Sequence, residues 1–447
     1  MLEKTFTSKL VKLGFPIALH NLFFVLGNSI TTFMTGRLGE LPIAAAGISN
    51  QFFFILLLVQ FGISSGGSIF TAQFWGKGKK DDVLRTLGVT LLLGFIAGGI
   101  FLVIAVGFPN LFLGIFTNDK EAAELAAGLM RIAGFSFIFT PVINTYGHIL
   151  RTTGVVKLPM FASITGVFLN ILLGYGLIFG KLGMPGMGVY GAAAANLTAR
   201  VFECILLLMF VYRLKTPLAA PLRKIFAFDM VFFRKVLRRV LPVTSNELLW
   251  ALGITAYAAV FARMGTSAYA AITIKDTTEN LLFVPFNGIT NALGILVGNT
   301  IGLGKPEKAQ DYVRQTFLLN VILAGILGII LFTLRKPIIS LFNLSPKTRT
   351  LALNIITILS AAIWIRTSNF IFFIGMMRSG GDTRFAYLMD AGAMWTIGVP
   401  LALAGAFVFR LPAHLVYLLV MIEETIKFFI SVWRFRSQRW IHDLTSA

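Results

Sequence analysis

The stretch LGVTLLLGFIAGGIFLVIAVGF, residues 87–108, carries no charged side chain. An α-helix needs about 20 apolar residues to cross a hydrocarbon core ~30 Å thick, and this stretch supplies them without a break. Working outward, comparable stretches recur near 14–36, 41–73, 124–150, 158–180, 189–212, 240–262, 268–300, 317–334, 350–377, 385–409 and 411–433. The period-two alternation of a membrane barrel is absent, so the reading is an all-α polytopic membrane protein of 12 transmembrane helices. Composition agrees. Charged residues make up 13% of the 447, against roughly 25% in soluble domains, and the mean hydropathy is +0.82. Two stretches, 41–73 and 268–300, exceed a straight crossing; Gly62, Gly66 and Gly67 in one, and Pro285 and Gly288 in the other, predict bends.

The formal net charge of +20 would suit a nucleic-acid binder, but its placement argues for a membrane and against nucleic acid. The basic residues concentrate in the segments that would be cytoplasmic, most densely from Arg213 to Arg239 and again at Arg434, Arg436 and Arg439. That is the positive-inside bias, with both termini in the cytoplasm and attraction to anionic lipid as the remainder. Arg335, Lys336, Lys347 and Arg349 run the other way. The first helix is long and lacks a small-residue cleavage site, so it reads as a retained span. The single Cys204 and four scattered His offer neither an internal disulfide nor a metal cluster.

The chain repeats itself. Phe15-Pro16 recurs as Leu241-Pro242, Arg37-Leu-Gly39 as Arg263-Met-Gly265, and Gly76-Lys-Gly78-Lys79 as Gly302-Leu-Gly304-Lys305, all at one spacing. Arg151-Thr-Thr-Gly154 recurs as Arg378-Ser-Gly-Gly381, one residue out of that register. Six helices in each half leave both halves with the same orientation, a parallel repeat about an axis along the membrane normal. The domain reading is an N-terminal six-helix lobe at 1–213, a basic cytoplasmic linker at 214–235 and a C-terminal six-helix lobe at 236–447. Two matched bundles suit alternating access, hence a transporter and not an enzyme. No Walker A loop is present, the nearest match ending in Lys305-Pro306, so an ion gradient is the expected energy source.

The repeated segments resemble the MATE (multidrug and toxic compound extrusion) family. The resemblance rests on Thr35-Gly-Arg-Leu-Gly-Glu-Leu-Pro-Ile-Ala-Ala-Ala-Gly47, Gly188-Val-Tyr-Gly-Ala-Ala-Ala-Ala-Asn196, Gly375-Met-Met-Arg-Ser-Gly-Gly-Asp-Thr383 and Trp395-Thr-Ile-Gly-Val-Pro400. Asn246-Glu-Leu-Leu-Trp-Ala-Leu-Gly253 resembles its prokaryotic, DinF-like branch. The resemblance covers essentially the whole chain. It implies a two-lobed exporter of cationic or amphiphilic compounds in a prokaryotic inner membrane, exchanging them for H⁺ or Na⁺ without a cofactor. The chain also departs from the pattern. Thr31, Gly174 and about Thr367 stand where the resemblance would place acids.

A charge at the centre of a bilayer-spanning helix costs on the order of 2.5–3.5 kcal/mol on insertion scales, so each one calls for a reason. Glu247, between Asn246 and the following turn's Trp250, combines a carboxylate with an indole suited to an organic cation; a structural, capped or paired Glu is the alternative. Lys275, Asp276 and Glu279 share one helix, where Lys275 at i,i+4 can neutralise Glu279 and leave Asp276 as the free carboxylate. A plain ion-pair cluster is equally available. Asp390 is expected near the cytoplasmic surface, Glu423, Glu424 and Lys427 share another helix, and Arg366, near Asn369, should pair with one of these acids. His20, Asn21 and Asn170 are the polar groups that could line the first half.

The function expected is antiport of a small amphiphilic or cationic substrate by a monomer in the lipid bilayer, with H⁺ the coupling ion and Na⁺ the alternative. A lipid-linked-saccharide flippase should carry more cations than acids, the reverse of the second half, and a receptor or channel should show a filter loop or signalling domain. Reporter fusions test the topology: activity at both termini must be that of the cytoplasmic side, and an external C-terminus would remove the basis of the repeat.

Overall fold

The computed structural model describes residues 4–116, 119–342 and 344–445, and they are almost wholly helical. In the first half the helices are α1 (Lys4–Gly36), α2 (Glu40–Gly76), α3 (Lys80–Gly107), a short α4 (Pro109–Phe116), α5 (Lys120–Gly134), α6 (Thr140–Thr152), α7 (Lys157–Phe179) and α8 (Val189–Arg213). A single turn, α9 (Leu222–Ile225), leads into α10 (Met230–Arg263), α11 (Thr266–Gly302), α12 (Pro306–Ser340) and α13 (Pro346–Phe370). The last part holds α14 (Thr383–Tyr387), α15 (Val399–Leu403) and α16 (Ala413–Arg436), with π-helical stretches between them. Among the described residues, nine helices are long and apolar enough to cross a membrane, and the bent α5–α6 pair makes a tenth. The two long helices outside that set, α10 and α16, carry Glu247 and the Glu423, Glu424 and Lys427 group, and they complete twelve crossings.

The chain divides into two compact units, Leu19–Thr244 and Met1–Ala18 with Ser245–Ala447, so each boundary falls inside a helix, α1 or α10. The basic stretch 214–235 belongs to the first-half unit. Within that unit α2 packs on α3 and α6, and α5 on α8; within the second-half unit α11 packs on α12 and α13, and α13 on α16. The pairings therefore repeat, and the turns repeat with them. Gly39 and Gly265 share φ near +115°, Gly78 and Gly304 lie at +76° and +73°, and Gly154 and Gly381 at +85° and +88°. These left-handed positions cost a Cβ-bearing residue about 1 kcal/mol or more, which explains why glycine stands at both copies.

Three features differ from the sequence reading. The span expected at 124–150 is broken by 42° between α5 and α6, where Pro141, at the start of α6, lacks the N–H that would continue the ladder. The bends expected in α2 and α11 do not interrupt either helix; each runs unbroken for 37 residues. The span Thr383–Val408 contains three π-helical stretches, 388–392, 394–398 and 404–408, beside Pro400, which again withholds a donor.

Both units close their helices on small residues, as membrane packing favours. A Cβ on Gly191 would lie 2.5 Å from the Leu177 carbonyl oxygen, so only glycine lets α7 and α8 approach. The second-half unit is tied at its end by the C-terminal tail. Trp440 is fully buried with Phe6, Leu10 and Phe372, Gly381 bridges to Ile441, and Arg434 donates to Asp382 at 2.8 Å. Burial pushes the Asp382 carboxyl up, but His442 and Arg434 outweigh it and hold the group below the usual carboxylate range. Its contribution is therefore complete above about pH 4 and is lost as pH falls through the lowered value.

A paired substitution tests the packing. Gly191→Ala should lower the thermal unfolding midpoint, whereas Gly99→Ala, which meets nothing within 4 Å, should leave it unchanged or raise it, since alanine outranks glycine in a helix by about 1 kcal/mol. Equal effects would contradict the close approach of α7 and α8.

Candidate functional site

The second-half unit encloses a connected set of charged side chains. Glu247, on α10, is held by Arg378, whose Nη1 lies 2.6 Å from its Oε1, and both side chains are at most 10% exposed. Glu247 is thus not the lone carboxylate that the sequence suggested. Arg378 ends the π-helical continuation of α13, and the motif that repeats Arg151-Thr-Thr-Gly154 is what delivers it. Beside Glu247, the Asn246 side-chain amide donates to Asp390 Oδ2 at 2.9 Å. Lys427 of α16 contacts Asp390 Oδ1 at 3.3 Å and pairs with Glu423 one turn before it. Tyr257 Oη donates to the other oxygen of Glu423 at 2.7 Å. Asp390 bridges α10 and α16 through these partners. Gly398 makes room for the Tyr257–Glu423 contact, since a Cβ there would strike both groups.

A second group adjoins the first in the same unit. Lys275 Nζ lies 3.0 Å from Glu279 and 2.5 Å from Asp276, and Arg366 Nη1 reaches Glu279 at 2.9 Å. The Lys275–Glu279 pair follows helical spacing; Arg366 comes from α13 and lies 3.4 Å from Tyr417 Oη. Asp276, the residue expected as a free buried carboxylate, is 52% exposed and touches Lys275. Asn369 Nδ2 donates to the Glu424 carboxylate at 2.7 Å and to its backbone oxygen at 2.8 Å. Arg366 and Glu424 also act on one another electrostatically, which links the two groups. Trp250 is 37% exposed and joins none of these contacts; Trp395 instead donates its indole N–H to the Leu249 carbonyl.

The charges do not balance. Six acids, Glu247, Asp276, Glu279, Asp390, Glu423 and Glu424, face the four cations Arg378, Lys427, Lys275 and Arg366. Two carboxyls are in excess: the exposed Asp276 shares Lys275 with Glu279, and Glu424, which no ion pair reaches among the described residues, is held by an amide. Such a set can bind a cation or a proton at Glu424 without first breaking an ion pair, whereas protonating Glu247 means releasing Arg378. Among the described residues no His, Cys, Asp and Glu group could hold a metal.

The first-half unit is different. Asn170 donates weakly to Thr31 Oγ1 at 3.4 Å, its own carbonyl oxygen is buried without a partner, and Gly174 lies against the Met34 methyl. Asn21 is half-buried. Sequence reasoning missed two participants. Arg378 was visible only as half of a repeated motif, and Glu424 only as a neighbour of Glu423. Each needed the packing of α16 against α13 to acquire its meaning.

Comparison with known proteins places these features. The profile of the MatE family matches residues 16–176 and 242–404, one copy in each half. The probable multidrug resistance protein NorM of Thermotoga maritima is 26% identical over 413 residues, covering 90% of this chain and 86% of the relative. The uncharacterized transporter YisQ of Bacillus subtilis is 27% identical over 447 residues, covering 98% and 96%. Among solved structures, MATE in a bent conformation superposes with a TM-score of 0.88 at 19% identity, over 97% of this chain and 96% of that one. A MOP superfamily transporter from Pyrococcus furiosus, described by a reversed polarity of its binding pocket, gives 0.87 at 19% identity, over 96% and 95%.

The Glu247–Arg378 pair is open to a double-mutant cycle. Glu247→Leu alone or Arg378→Met alone should destabilise the protein by about 3–5 kcal/mol, the usual cost of stranding one buried charge, while the double variant should recover most of the loss. Additive effects of the two single changes would show that the pair is not coupled.

Proposed function

The chain belongs to the MatE family, and on that premise we propose that it is a secondary active exporter of small amphiphilic, cationic compounds, working by alternating access as antiport against H⁺. The observation that supports this reading most is the excess of carboxyls within the second-half unit, among them Glu424, which is held by Asn369 and meets no ion pair among the described residues. A positively charged or protonatable ligand balances that excess; an anion would worsen it. The multidrug resistance names of relatives such as NorM fit a substrate defined by charge and greasiness more than by shape. The same set serves for coupling, because Asp390 and Glu423 share Lys427 and can exchange it as a proton enters, while protonation of Glu247 would release Arg378. Exchange of one proton for a monovalent cation moves no net charge, so it draws on the pH difference, about 1.4 kcal/mol or tenfold accumulation per pH unit. The working form is a monomer in the cytoplasmic membrane with both termini inside.

Efflux of a cationic dye from proteoliposomes, with pH and Na⁺ gradients imposed separately, tests both parts. The expected outcome is dye movement on a pH step, lost in Glu424→Gln and in Glu247→Gln with normal expression. Dye movement that follows a Na⁺ gradient at constant pH and ignores the pH step would overturn the choice of ion. Normal transport by both variants beside a dead Asn170→Ala would move the coupling site to the first-half unit.

A further inference from the structure

The internal repeat sets up a comparison that the exporter reading leaves unused. In its register Asn21 is the counterpart of Glu247, His20 that of Asn246, and Arg151 that of Arg378. In the second-half unit the counterparts form the 2.6 Å Arg378–Glu247 pair. The first-half unit keeps the cation and replaces the acid by an uncharged amide one methylene shorter. Among the described residues, no ion pair or side-chain hydrogen bond reaches the Arg151 guanidinium.

Basic groups surround it. Arg151, Arg200 and His148 all act electrostatically on His20, and the His20 Nδ1 atom is buried with no partner. One acid answers them. Glu203 pairs with Arg200 at 2.9 Å, both side chains being largely buried, which uses up both charges and leaves Arg151 unanswered. The unit's remaining acids stand in loops or in the first two turns of helices, away from this cluster. The walls are aromatic: Arg200 lies 5.8 Å from the Phe24 ring and 5.9 Å from that of Phe53, and Phe61 meets His148 edge-on with centroids 5.4 Å apart.

We propose that the first-half unit contains an anion-binding site built on Arg151, with His20 and His148 beside it, which takes the carboxylate or phosphate oxyanion of a small amphiphile. Arg151 is a half-buried guanidinium in the last turn of α6 without a counter-charge, and its planar fork donates to two oxygens of a carboxylate or phosphate side by side. The bound oxyanion takes the part that Glu247 plays in the other copy. The unpartnered His20 nitrogen supplies a further donor in its alternate tautomer, and the Phe24, Phe53 and Phe61 rings beside Arg200 and His148 suit the apolar body of the ligand. The bland alternative is that Arg151 only complements the carbonyl end of α6. That role leaves the identity of residue 21 without consequence, and the two readings separate there.

The probe is benzoate, titrated calorimetrically into the purified full-length chain in detergent, with benzylamine as the cationic control. Saturable benzoate binding is expected in the wild type, weakened at least 10-fold in Arg151→Gln and also in Asn21→Asp, which restores the internal counter-charge. Lys157→Gln, at an exposed cation of the same half, should retain it. Nanodiscs of phosphatidylcholine with and without added phosphatidylglycerol distinguish the source of the oxyanion: competition by the anionic lipid assigns the site to a headgroup, and its absence to a soluble anion. No saturable benzoate binding by the wild type, or wild-type binding in either first-half variant, overturns the proposal. Should Arg151→Gln fail to fold, Asn21→Asp decides alone. The readout is binding and not efflux, so the outcome does not depend on the exporter reading.

Discussion

A charge inside hydrocarbon must find a partner within the protein, because no water is there to solvate it. The Glu247–Arg378 pair obeys that constraint at 2.6 Å, and much of the second-half unit is arranged around it. α10 brings the acid, the continuation of α13 brings the base, and Asn246 beside the acid reaches Asp390 and through it Lys427 of α16. Four helical segments distant in sequence, the span that carries Asp390 included, are thereby held in one register by polar contacts that apolar packing alone would not specify. The apolar clusters around them, Ile355, Ile356 and Leu359 on one side and Phe372, Met376 and Met377 on another, fill the space but would tolerate sliding.

The same constraint explains how much could be read without a structure. Helical spans announce themselves by composition, and turn glycines by their recurrence at Gly39 and Gly265 or Gly78 and Gly304, since a left-handed backbone admits little else. Within a helix, the Lys275–Glu279 pair follows from spacing. What connects helices does not. Arg366 finds Glu279 across 87 positions of sequence and Arg378 finds Glu247 across 131, so the sequence could name the charges without assigning the partners. The result was a Glu247 with no partner assigned and an Asp276 read as the free carboxylate, while Glu424, the carboxyl without a base, was named only in company with Glu423 and Lys427. Local backbone departures were equally silent: the π stretches of Thr383–Val408 and the break at Pro141 depend on how carbonyls are satisfied by the surrounding fold.

The two units show what quasi-symmetry preserves and what it releases. Turns and helix pairings recur because they are conditions for folding, and a lapse in either copy would be felt at once. Polar contents are freer. The second-half unit sets six acids against four cations, whereas among the described residues the first has one buried ion pair, Arg200–Glu203, and a guanidinium without an acid. An identical scaffold thus carries opposite local polarity in its two copies, and ligand choice follows from that chemistry and not from the fold.

The π-helical stretches have a mechanical meaning as well. A π turn holds one residue more than an α turn, so its conversion to α would advance everything beyond it by one position, roughly 100° of rotation. Asp390 lies in the first such stretch and Trp395 in the second. The span from Thr383 to Val408 is therefore geared: small changes in carbonyl pairing can turn one portion of it against the next about its own axis, re-aiming the indole relative to the carboxylate while the helix stays in its place among its neighbours.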